Sequence, residues 1–111
     1  MIDLQNISPQ EIMDTWGCPN TYNNNFAIPD PVGGVYVIFG YKLPMGVLQS
    51  LECVYVGASN NLYKRYVRHP VRSNPDFWWC GFYWKQFEAP FDVEKLLIKQ
   101  LKPLLNKQHN G

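Results

Sequence analysis

From Gly34 to Phe39 the chain reads GVYVIF, a β-branched and aromatic run that predicts a strand. Side chains alternate across a strand, so Tyr36 and Ile38 face one way and Val35, Val37 and Phe39 the other. Gly40 to Glu52 (GYKLPMGVLQSLE) is punctuated by Gly and Pro and predicts a long hairpin connection. Cys53 to Val56 is the returning strand, with Gly57 as its stop. Ser59 or Asn60 can cap a helix running to about His69. Residues 70–78 carry two prolines and predict a loop, and Trp79 to Phe87 (WCGFYWKQF) predicts a third strand. Asp92 caps a last helix, VEKLLIKQL, with Leu97 and Leu101 on one stripe, and Pro103 disfavours helical geometry at Lys102.

Ahead of these elements, Ser8-Pro9-Gln10-Glu11 reads as a helix start. Ser8 can cap, Pro9 suits the first helical position and Glu11 completes a capping box. Ile12, Met13 and Trp16 form its apolar face, Gly17 can end it, and residues 18–33 are a loop rich in Asn, Pro and Gly. Residues 1–33 are thus expected to pack as a leader on a body formed by 34–111. The order α-β-β-α-β-α predicts an α+β fold, a small three-stranded antiparallel sheet flanked by helices.

The bulk numbers narrow the class. A chain of 111 residues, 46% hydrophobic and 15% aromatic, suits one domain with one modest core. MIDLQNISPQ has neither a basic start nor an apolar run, so a secretory signal is not expected. The apolar runs fall short of the roughly 20 residues that cross a bilayer. A cytoplasmic protein is expected, nucleoid-associated if bacterial, with no membrane partner. Cys18, Cys53 and Cys80 are odd in number and form no CxxC pair, so three buried free thiols are expected.

Net charge is +1, but its distribution is uneven. Residues 1–33 hold Asp3, Glu11, Asp14 and Asp30 and no Lys or Arg, while residues 34–111 hold all 10 Lys and Arg. A basic body is compatible with a polyanion without demanding one.

The spacing brings particular chemistry together. Arg65 and His69 are four apart and share a helix face, and Lys64, Arg68 and Arg72 form an adjacent stripe. If the first two strands pair, Tyr36 and Tyr55 lie on one sheet face near that helix. Glu94, placed in the first turn of the last helix, borders the apolar stripe through Ile98 and Leu101. Phosphodiester hydrolysis uses such parts. A carboxylate holds a divalent cation, a guanidinium stabilises phosphate charge, and a phenol orients or deprotonates water if cations lower its pKa from about 10.

Together these residues resemble the GIY-YIG endonuclease family. Gly34-Val35-Tyr36 matches its first motif and Tyr55-Val56-Gly57 its second. Ala58, Ser59 and NNLYKR ending at Arg65 follow as in the family, and His69 stands four residues after the arginine, as in some homing endonucleases. Glu94 to Asn106 (EKLLIKQLKPLLN) fits the family's form E-x-x-L-I-x-x-L-x-P-x-x-N. The resemblance covers residues 33–106 and implies a Mg²⁺- or Mn²⁺-dependent nuclease leaving a 5′-phosphate and a 3′-hydroxyl. It implies that Glu94 binds the metal and that Tyr36 activates the attacking water, directly or with help. It further implies that Tyr55 orients water or phosphate, Arg65 contacts the scissile phosphate and Asn106 supports the site. Lys42, Lys64, Arg68 and Arg72 are candidate DNA contacts.

Two features depart from the family pattern. The family usually has about ten residues between its triads, and this chain has the stretch Val37 to Val54. Many members carry a lysine three residues after the first tyrosine, where this chain has Phe39, and Lys42 is the candidate replacement. Plainer readings stand beside these. Strand tyrosines are common in cores, Glu94 near a helix start is favoured by the macrodipole, Asn106 can close a turn, and Lys64, Arg68 and Arg72 can be a solvated face. The run Phe77 to Trp84 reads as core sooner than as a base-stacking platform, with Trp78 or Trp79 exposed beside the basic loop.

The expected function is metal-dependent endonucleolytic cleavage of DNA, as nicks or double-strand breaks, of phage or mobile-element type. RNA is an open alternative, because the contacts inferred are to phosphate. The alternative is a catalytically weak nucleic-acid-binding module of the same fold. With no room for a separate DNA-reading domain, a homodimer or a targeting partner protein is a further expectation.

Overall fold

A strand with neighbours on both edges and helices on both faces has no wet side, and its sequence reads apolar throughout. That describes β1 (Gly34–Lys42), in which Gly34 to Gly40 are all buried. It is the middle strand of a three-stranded antiparallel sheet, ordered β2-β1-β3, with β2 at Glu52–Ser59 and β3 at Phe77–Lys85. The fold is α+β, as the sequence predicts. The computed structural model describes residues 6–18, 33–43 and 50–106. The loop expected over 18–33 and the tip of the long hairpin lie almost wholly outside the described residues, as does the side chain of Arg72.

The alternation predicted for β1 divides the core in two. Val35, Val37 and Phe39 pack with Val56 and with Ile7, Ile12 and Trp16 from the amino-terminal segment. Leu97 and Ile98 of the last helix, α3 (Pro90–Leu101), complete that cluster. Here α1 is Pro9–Thr15, capped as predicted by Ser8, whose Oγ accepts from the Glu11 amide at 3.2 Å. On the other face Tyr36 and Ile38 pack with Val54, Phe82, Val71 and Leu62 of α2 (Leu62–Arg68). Beyond α1, Gly17 forms a bridge with Trp84 on β3, at 3.0 and 2.8 Å. A Cβ on Gly17 would lie 2.8 Å from the Trp84 indole nitrogen, so this approach needs glycine.

Several boundaries differ from expectation, each for a local reason. β1 continues past Phe39 to Lys42, because its neighbour β3 begins at Phe77 rather than Trp79 and supplies Lys42 with a partner. β3 ends at Lys85, two residues before the predicted Phe87. β2 does not stop at Gly57 but runs through it to Ser59. Asn61, not Ser59 or Asn60, caps α2, its side chain accepting from the Lys64 amide at 3.1 Å. Within the predicted loop 70–78, Pro70–Ser73 forms a 3-10 turn. The last helix starts at Pro90 behind Ala89, which puts Asp92 inside the first turn and Glu94 beyond it. It ends as predicted near Lys102, whose φ of 48° is left-handed.

Each edge strand carries an irregularity. Ile38 pairs with Tyr55 and Phe39 with Cys53, leaving Val54 as an extra residue in β2. Phe39 pairs with Gly81 and Gly40 with Trp79, leaving Cys80 extra in β3. A bulge of this kind disturbs strict alternation. Val54 and Tyr55 therefore both join the α2 face, and Cys80 is turned out. The expectation of three buried thiols fails accordingly: all three cysteines are unbridged, but Cys80 is exposed and Cys18 and Cys53 are half-buried. Among the described residues, no helix is long and apolar enough to cross a membrane.

Candidate functional site

The site is built on the α2 face of the sheet. Tyr36 sits opposite Gly57, and the next residue pair on this face is Ile38 with Tyr55. This diagonal brings the Tyr36 and Tyr55 rings to 6.0 Å between centroids, 14° from parallel. On its other side Tyr36 stacks on Phe82 of β3 at 4.9 Å, and Phe82 stacks on Trp79 at 5.9 Å. One layer of aromatic rings thus crosses all three strands. Gly57 is where the Tyr36 ring passes: a Cβ there would collide with its hydroxyl and ring carbons. Gly57 serves this close approach and is not the strand stop expected of it, for β2 runs through it without a positive φ.

α2 and the turn after it bring in the polar groups. Arg65 donates from Nε to the Tyr36 oxygen at 2.9 Å. His69, the residue after the helix, places Nε2 3.1 Å from the same oxygen. Its ring stands edge-on to Tyr36 at 5.4 Å and to Tyr55 at 4.6 Å. Burial alone would lower the Arg65 pKa, but its hydrogen bonds to Tyr36 and Tyr55 outweigh that and hold it above its ordinary value. The pair of tyrosines, Arg65 and His69 therefore converge as their spacing predicts.

Tyr36 lies deeper than expected. It is 1% exposed, covered by Tyr55 and Phe82, and burial pushes its phenol above the ordinary value. The bond from Arg65 opposes the shift without cancelling it, while the charges of Tyr55 and Glu94 add to it. Direct contact of Tyr36 with an attacking water, and a phenol pKa lowered by nearby cations, are not features of this packing. His69 is buried as well, whereas Tyr55, Arg65 and Glu94 are half-buried and reach the surface.

Glu94 projects from α3 close enough for its charge to be felt at Tyr36. Among the described residues no group of three or more His, Cys, Asp or Glu could enclose a metal. A small divalent cation that keeps its waters and shares substrate phosphates needs only one or two carboxylates. Glu94, accessible and ionisable, fits that mode by its donor chemistry.

Asn106 is fully buried, and its partner is backbone. Its Oδ1 accepts from the Val56 amide at 2.9 Å and its Nδ2 donates to the Val56 carbonyl at 2.8 Å. Together with Leu104 and Leu105, whose amides bond the Cys53 and Val54 carbonyls at 3.2 and 2.9 Å, it closes the outer edge of β2. Its support of the site is mechanical: it fixes the strand on which Tyr55 stands and touches no reacting group.

The basic candidates separate. Lys64 and Arg68 are exposed on the outer side of α2, beside exposed Tyr63 and Val67. Lys42 lies six residues beyond Tyr36 on the same strand, about 20 Å away, and does not replace the family lysine. It borders a different hollow, about 450 Å³, with Leu43, Asp76, Phe77, Leu104 and Leu105. Trp78 is 56% exposed, while Trp79 belongs to the aromatic layer.

Sequence reasoning missed Phe82 and the Val71 amide, a backbone group that any residue but proline would supply. Phe82 was legible in principle, since it is two residues from Trp84 on one strand face and Trp84 pairs with Tyr36. The Val71 amide, which donates to His69 Nδ1 at 3.1 Å, has no signature beyond the proline before it. Comparison with known proteins adds no relative: no family model, no curated protein and no solved structure matches the chain.

Proposed function

We propose that this protein is a divalent-metal-dependent endonuclease that hydrolyses phosphodiester bonds in DNA. The observation that carries the reading is the placement of Arg65. It is charged, half-buried and bonded to both motif tyrosines, one of which, Tyr36, also feels the charge of Glu94. A guanidinium fixed on two phenols keeps its planar fork in one orientation, which is what recognition of a phosphate oxygen requires. Glu94 would hold Mg²⁺ or Mn²⁺, which supplies charge neutralisation at the phosphate and leaving oxygen. Tyr55 meets the phosphate or water at the surface, and Tyr36 with His69 anchors Arg65 from beneath. Lys64 and Arg68 add contacts to the flanking backbone. The resemblance in the three motifs agrees with this assignment, and such an enzyme would act on DNA in the cytoplasm or nucleoid.

A second reading is a nucleic-acid-binding module of low activity. The observation that favours it is the burial of Tyr36, which raises the pKa of that phenol and keeps it away from the surface. The two readings separate on Arg65→Lys. For an enzyme, nicking of supercoiled plasmid with Mg²⁺ should fall about a hundredfold or more, with plasmid retention nearly unchanged. Products should carry 5′-phosphate and 3′-hydroxyl ends. For a binding module, wild type retains plasmid and does not nick it.

A further inference from the structure

His69 occupies two junctions at once. It closes α2 and opens the 3-10 turn Pro70–Ser73. Pro70 has no N–H, so the first amide this turn can offer is that of Val71. That amide donates to His69 Nδ1 at 3.1 Å. A backbone amide can only donate, and so Nδ1 must be the unprotonated nitrogen of the neutral ring. The ring proton is then on Nε2, which lies 3.1 Å from the Tyr36 oxygen. Arg65 Nε, also obligatorily a donor, approaches the same oxygen at 2.9 Å.

We propose that His69 is a positioning residue locked by the Val71 amide as the Nε2–H tautomer, so that it donates to Tyr36 and cannot take a proton from it. This rests on the nuclease reading for its consequence in catalysis, but not for its structural content. His69 Nε2–H and Arg65 Nε–H form a two-donor seat for one phenolic oxygen. The seat fixes the angle of that oxygen and, through it, the plane of the Arg65 guanidinium. A proton leaving Tyr36 or a water in this site therefore does not go into the histidine. His-Pro-Val at 69–71 is the sequence that sets the lock, with proline removing the competing amide.

The full-length chain labelled with ¹⁵N-histidine tests the tautomer directly. At about pH 8, above the ordinary histidine range, His69 should show a protonated, pyrrole-type Nε2 and a pyridine-type Nδ1. The reverse pattern overturns the proposal whatever the protein does to DNA. His69→Gln and His69→Met then test its role, with supercoiled plasmid and Mg²⁺ as the probe and thermal melts as the control for folding. Glutamine can donate in place of Nε2 but is not a base. It should keep nicking within about tenfold of wild type, with methionine clearly lower. A loss in His69→Gln as large as in His69→Met, about a hundredfold or more, would mark His69 as a base and overturn the proposal. Absence of nicking by wild type would count against the nuclease reading, while the nitrogen spectrum would still decide the tautomer.

Discussion

At the scale of single residues, the site depends on what one small residue leaves room for. Gly57 has its place because the Tyr36 ring lies where a side chain would be. Gly57→Ala should therefore displace Tyr36 and cost about 1–3 kcal/mol, as overpacking of a filled core does. Denaturant titration measures the cost, and near-UV circular dichroism should show the disturbed tyrosine layer. An alanine variant as stable as wild type would mean that the ring has another place to go. The thiols give a contrast. Burial pushes Cys53 up to about 12, while Cys80 is exposed on its bulge. A thiol is nucleophilic as its thiolate, so iodoacetamide at neutral pH should label Cys80 well before Cys53 in the native protein. Mass spectrometry of partly labelled protein checks the order.

At the scale of elements, the outer edge of β2 is held by a tail segment, where a fourth strand would otherwise be needed. Asn106 imitates a strand residue by engaging both polar groups of Val56. Asn106→Ala should leave a buried amide and carbonyl without partners, at about 1–3 kcal/mol. Faster hydrogen exchange at the Val56 amide would place the loss on β2, and unchanged exchange there would contradict the clasp. This element also shows what was legible beforehand. The strands and helices followed from periodicity, and the alternation in GVYVIF assigned β1 side chains to the correct faces. The bulges at Val54 and Cys80 did not follow, because an extra residue leaves no mark in a hydrophobic pattern that is apolar on both sides. The convergence of Tyr36, Arg65 and His69 was legible from spacing on α2 and β1. The depth of Tyr36 was not, since it depends on Phe82 and Tyr55 closing over it from the two neighbouring strands. Lys42 was misplaced for a related reason: a strand that continues three residues past its expected end carries its last side chain away from the site.

At the scale of the whole molecule, the amino-terminal helix is part of the core and not an appendage to it. Ile12 and Trp16 share one cluster with Leu97 and Ile98, on the face opposite the candidate site. Ile12→Ala should cost about 2–5 kcal/mol, as at other fully buried isoleucines, and should lower the midpoint of one cooperative transition. A separate early transition would show that the segment melts alone. The two faces thus divide the work: α1 and α3 close the core on one, and α2 presents Arg65 on the other. Glu94 joins them, since it is carried by α3 and its charge is felt at Tyr36. The central claim is that this assembly cuts phosphodiester bonds with a metal held at Glu94. The most direct test is nicking of supercoiled plasmid by the full chain with Mg²⁺, wild type beside Glu94→Gln. The account predicts metal-dependent nicking by wild type and its loss in a variant that melts normally. Nicking by Glu94→Gln at the wild-type rate would contradict it.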